Sequence, residues 1–156
     1  METEKLLDNF QKYSSLLTKY FPDEGTSRLL EDLGLRLTTA PRGMTSEDGG
    51  DPGKLIEFLL RVTLVANDHS KALIAREGDE SIDRRSVARV CLVHEIGKIG
   101  SLEEDLFVVQ ESQWHKDKLG QNFKYNDKCS KMSTSHRTLC LLQHYGISVT
   151  PDEWIA

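Results

Sequence analysis

Apolar residues recur at helical spacing through most of this chain. Leu6, Phe10, Tyr13, Leu17 and Tyr20 follow one another at three- and four-residue steps, which predicts an amphipathic helix over Glu2 to Tyr20, closed by Pro22. A shorter helix is expected after the cap-like Thr26, burying Leu29, Leu30 and Leu33 and stopping at Gly34. From Thr38 to Gly53 the periodicity lapses into small, polar, glycine and proline residues, so this stretch reads as a loop, either functional or a plain surface connection. Asp51-Pro52 then resembles an N-cap with a first-turn proline, and a long helix runs from Lys54 to about Glu77, ending at Gly78. Its stripe of Leu55, Phe58, Leu59, Val62, Ala66 and Leu73, widened by Ile56, Leu60 and Leu64, predicts a central helix buried on more than one side. His69, between Ala66 and Leu73, is placed to point inward near its far end.

Ser81 or Asp83 caps the next run, in which Val87, Val90, Cys91 and His94 share one face until Gly97 and Gly100 stop it. An imidazole ending an apolar face is either a ligand or a histidine with a satisfied hydrogen bond. Ser101-Leu102-Glu103-Glu104 reads as a capping box for a short helix through Leu106 to Val109. Between 110 and 131, Trp114-His115 and Phe123-Lys124-Tyr125 flank Lys118-Leu119-Gly120-Gln121, which suggests a small hairpin or irregular excursion, read as a lid. Ser133, Thr134 or Ser135 caps a helix that carries His136 and Leu139 and stops at Gly146. Thr150-Pro151-Asp152-Glu153 opens a last helix with a capping box, and only three residues follow it. The fold class expected is therefore all-α, in one domain over 1–156.

Charge and length narrow the picture. The 156 residues carry 20 basic and 25 acidic side chains, a net charge of −5. That balance argues against general nucleic-acid binding, where affinity rests on neutralising phosphates, but leaves room for a local basic pocket. No apolar run has membrane-spanning length and the first ten residues are acidic and amphipathic, so neither signal peptide nor anchor is read and a cytoplasmic location is expected. Cys91, Cys129 and Cys140 are odd in number and lack C-x-x-C spacing, which suits reduced, buried thiols.

The stretch LVHEIGK around His94 resembles the LLHDIGK motif of the HD superfamily of metal-dependent phosphohydrolases. LTTAPRG (37–43) is similar to an APAS-type loop of a small bacteriophage and bacterial branch of that family. GGDPGKLIEF (49–58) is similar to its Gly-Gly-Leu-x-x-His element, and Met132 to Ala156 to its C-terminal motifs. The resemblance covers about Leu29 to the last residue. It implies an HD-type helical bundle, with helices 1–35 preceding an HD-like core over 36–156 and a truncated last helix, so that one wall of the usual site is missing or comes from a partner.

The resemblance also implies a site. A His on an earlier helix, the adjacent His-Asp pair and a later Asp surround one divalent metal (Mn, Fe, Co, Ni, Mg or Zn) that polarises a phosphoryl oxygen and acidifies a water. His94 matches the family His, and Glu95 stands where the family has Asp. Phe58 falls at the first ligand position, where a phenyl ring offers no lone pair. His69 is the nearest substitute, three turns along and about 16 Å away by helix rise. His136 falls at the later acidic position, so His94, Glu95 and His136 make the candidate metal set. Lys98 and Arg137 are the candidate phosphate clamp, with Asp127 a further candidate ligand.

Two functions follow. One is a divergent HD phosphohydrolase acting on a nucleotide or other phosphoester with a bound metal. The other is a catalytically inactive HD-fold binding module, phage-encoded in this reading and at work in the host cytoplasm, whose partner is a host protein or a small phosphorylated ligand such as a nucleotide.

Overall fold

The computed structural model describes residues 2–156. Its order is α1 (Glu2–Tyr20), α2 (Glu24–Thr39), α3 (Lys54–Glu77), α4 (Arg84–Val93), a 3-10 turn (Ile96–Ile99), β1 (Phe107–Val109), α5 (Gln113–Leu119), β2 (Phe123–Tyr125), α6 (Thr134–His144) and α7 (Pro151–Ile155). The chain is mostly helical, with one two-stranded antiparallel sheet that pairs Phe107 with Tyr125 and Val109 with Phe123. No helix among the described residues is long and apolar enough to cross a membrane.

One core joins α1, α2, α3, α4, the 3-10 turn and α6. Tyr13, Leu17, Leu29, Leu37, Leu55, Leu59, Leu92, Ile96 and Leu141 are all buried in it. Tyr13 is wholly buried, so its hydroxyl needs a partner, and it donates to the Leu92 carbonyl at 2.9 Å. Desolvation pushes that phenol far above its ordinary value. A satellite cluster of Leu106, Phe107 and Cys129 sits beneath the hairpin, with Met44 and Phe123 against it.

Several expectations need correction. Gly34 does not stop α2, which runs on to Thr39; instead the missing side chain there leaves room for Phe10, whose ring would lie 3.0 Å from an added Cβ. Asp51 does not cap α3: Gly53, in the left-handed region at φ 77°, is the cap. α3 is not buried on several sides along its length, since Leu64 and Val65 near its middle are more than half exposed, and His69 further along is exposed too. Ser101 does accept the Glu104 amide at 3.1 Å, but a strand follows rather than a helix, because Gly100 at φ 115° turns the chain and Gly100 bridges Asp105. Between the two strands lies helix α5, so Lys118 to Gln121 is a helix end and not a hairpin turn. Cys140 is exposed, not buried.

Elsewhere the spacing reads true. α1 and α3 occupy the expected ranges, Asp83 caps α4, Ser133 caps α6 with Gly146 beyond its end, and α7 has its complete capping box.

Candidate site: a cationic cleft beside His94 and Glu95

α4 ends one residue before His94, which caps it, and Glu95 leads into the 3-10 turn. That turn is pressed onto α6 at Gly97. A Cβ on Gly97 would lie 2.3 Å from the Thr134 carbonyl oxygen and 2.6 Å from the Thr138 amide nitrogen. The close approach is fastened by hydrogen bonds: the Gly97 amide donates to Thr138 Oγ1 at 3.0 Å, and that hydroxyl donates to the His94 carbonyl at 3.3 Å. HEIGK is thus a helix end, a tight turn and a docking point in five residues.

His94 is half-buried, its ring tilted against that of Phe58 at a centroid distance of 6.1 Å. Its Nδ1 lies 3.0 Å from the Cys91 carbonyl. A carbonyl only accepts, so Nδ1–H is the donor in this contact.

Glu95 is already engaged. Arg42 holds it with two bonds, Nε to Oε2 at 2.8 Å and Nη2 to Oε1 at 3.1 Å, and Lys98 Nζ adds a contact at 3.3 Å. Burial acts to raise the Glu95 carboxyl, but the hydrogen bonds and charges of Arg42 and Lys98 outweigh it and hold the group below its ordinary value. The same Arg42 guanidinium lies 3.6 Å above the Phe58 ring, a cation–π contact. The 40–53 loop delivers it there. That loop is closed by the Arg42 amide on the Gly49 carbonyl at 2.8 Å and pinned to the hairpin by Asn122, whose amide donates to the Met44 carbonyl and whose side chain donates to the Gly50 carbonyl.

The residues present therefore do not fit the metal centre that the HD resemblance implies. Among the described residues no three His, Cys, Asp or Glu side chains gather where they could hold a metal ion. Phe58 contributes no donor, Glu95 is committed to two cations, and His136 is exposed at the start of α6 with Nδ1 against Ser133 Oγ at 2.9 Å. The set His94, Glu95 and His136 is not assembled.

What is assembled is a cleft of about 700 Å3 whose walls include Arg42, Lys98, Lys131, Arg137, Asp48 and Asp127. Lys98 and Arg137, expected to serve together, do share it, and Asp127 lies on its rim. Arg137 is 5% exposed. It donates to backbone carbonyls, Gly97 at 2.8 Å, Ser130 at 3.3 Å, and Met132, and no carboxylate among the described residues pairs with it. A second groove, of about 540 Å3, lies on the other side of Lys98 and Thr134, where His94 and Glu95 meet Val90, Val149 and Trp154. Arg42 is a site residue that the sequence does not single out. The signal available for it was a loop arginine in a chain whose first ligand position holds a phenyl ring. Compared with family models, with curated proteins and with solved structures, the chain matches none.

Proposed function

We propose that this chain is a divergent HD-type helical domain that binds a small phosphorylated ligand in the Arg42, Lys98 and Arg137 cleft without a metal and does not hydrolyse it. The observation that carries this reading is Arg137. A guanidinium this deeply buried is costly unless its charge is answered, and three neutral carbonyls supply hydrogen bonds but no opposite charge. An anion seated in the cleft supplies it, and Lys131 and Lys98 on the same walls add attraction. Binding, not turnover, follows from the donor set: hydrolysis of a phosphoester in the HD manner needs a metal-activated water, and the groups that would hold the metal are a phenyl ring and a carboxylate already bound by two cations.

Calorimetric titration with nucleoside mono- and diphosphates and with inorganic pyrophosphate, in chelator and at low salt, tests the reading. Binding is expected, weakening as salt rises, with no phosphate released on long incubation with or without added Mn. Absence of binding at millimolar ligand would sink it. Metal-dependent phosphate release would restore the hydrolase.

A further inference from the structure

We infer that Glu95 is an internal counter-ion for the cleft, a carboxylate that an incoming anion must displace from Lys98 before it can bind. The inference rests on the cleft reading above and adds a device to it. Arg42 and Lys98 both line the cleft, whereas Glu95 belongs to the wall of the neighbouring apolar groove, behind them. Both cations turn to that one carboxylate, whose side chain is 18% exposed. The positive charge that Arg42 and Lys98 would offer an anion is therefore already answered from within the molecule, while that of Arg137 is not.

The two cations are held differently. Arg42 makes a two-pronged contact with Glu95 and is stacked on Phe58, a rigid arrangement that a planar guanidinium favours. Lys98 reaches Glu95 with a single contact at 3.3 Å, on a flexible stem and at the edge of hydrogen-bonding distance. Lys98 is thus the cation that transfers to a ligand, while Arg42 stays and keeps Glu95 paired. Ligand affinity is set by a competition in which Glu95 has the advantage of being attached to the same chain.

The experiment is a titration of wild type and Glu95→Gln with inorganic pyrophosphate at one fixed ionic strength. Removing the competing charge is expected to tighten binding about tenfold, the change that roughly 1.4 kcal/mol brings. In the Lys98→Ala background the same substitution is expected to change affinity less than about twofold, since the two effects run through one contact and are not additive. Tighter binding that depends on Lys98 upholds the device. Wild-type binding with an equal or weaker affinity in Glu95→Gln overturns it and leaves the cleft reading standing, whereas no binding to either protein overturns both. If Glu95→Gln does not fold, Glu95→Asp, which draws the carboxylate back by one methylene, is to be titrated instead, with tightening expected and unchanged affinity overturning the device.

Discussion

Arg89 of α4 and Glu153 of α7 form an ion pair at 2.9 Å whose side chains are 12% and 2% exposed. Each partner is satisfied beyond the pair. Arg89 also donates to the carbonyls of Tyr20 at 2.7 Å and Ser148 at 2.6 Å and covers the Phe21 ring, and Glu153 accepts from Ser86 Oγ and from the Thr150 amide. A five-residue helix is marginal alone, so this contact is what seats α7 on the bundle. Replacing Glu153 with Ala leaves Arg89 without its counter-charge, and a loss of about 3 kcal/mol in chemical unfolding is expected.

The same pair sets a pH dependence. Burial acts to raise the Glu153 carboxyl, but Arg89, the Thr150 amide and Ser86 together hold it below its ordinary value of 4.5. A depressed carboxylate stabilises the fold fully above the unfolded value, and that contribution is lost as pH falls through the folded one. Wild type is therefore expected to lose thermal stability below about pH 4.5 more steeply than Glu153→Gln. Parallel acid profiles of the two melting temperatures would contradict this.

Metal uptake distinguishes the guanidinium arrangement from an HD metal centre. Cobalt titration followed by visible absorption is expected to show no stoichiometric site in wild type. Phe58→His combined with Arg42→Ala introduces an imidazole near His94, at a spacing close to the 6.1 Å between the present rings, and leaves Glu95 with only its single contact to Lys98. Two imidazoles and a carboxylate are an acceptable set, so the double variant is expected to bind about one equivalent. A wild-type protein that takes up one equivalent, lost in His94→Ala, would show the assignment wrong.

Gly97→Ala tests the turn. The added methyl would meet backbone atoms of α6 that cannot rotate away. A loss of about 2 to 3 kcal/mol is expected, or roughly 6 to 10 °C in melting temperature at this chain length. Gly120→Ala meets no neighbouring atom, and its cost is confined to backbone strain at φ 61°.

Thiol chemistry reports the packing. Cys140 is exposed, Cys129 is buried, and burial pushes the Cys91 thiol up from its ordinary value. One fast equivalent from a disulfide exchange reagent is expected, lost in Cys140→Ser. Three fast equivalents in the native state would show that the satellite core under the hairpin is open.

How much of this was legible depended on whether the cause was local. α1 and α3 are readable because a repeating apolar spacing and a Pro or Gly just past the C-terminal end are properties of short windows. For α2 the sequence predicts too short a helix because Gly34 carries the mark of a stop, and its true reason, the ring of Phe10 lying against it, is on another helix. At β1 the sequence predicts helix for a similar reason. Its partner Phe123–Tyr125 lies beyond an intervening helix, so nothing near Phe107 announces the pairing. For the site, Lys98 and Arg137 stood out and do share the cleft. The pairing of Arg42 with Glu95 spans 53 positions and depends on the fold of the glycine loop, which residue spacing does not encode.

The position of Arg42 has a consequence for supply. A cation built into the polypeptide is made with every molecule, in a ratio of one to one. It is neither withdrawn by a chelator nor diluted away during purification. The charge beside Glu95 therefore comes with the chain itself, whatever the metal content of the surroundings.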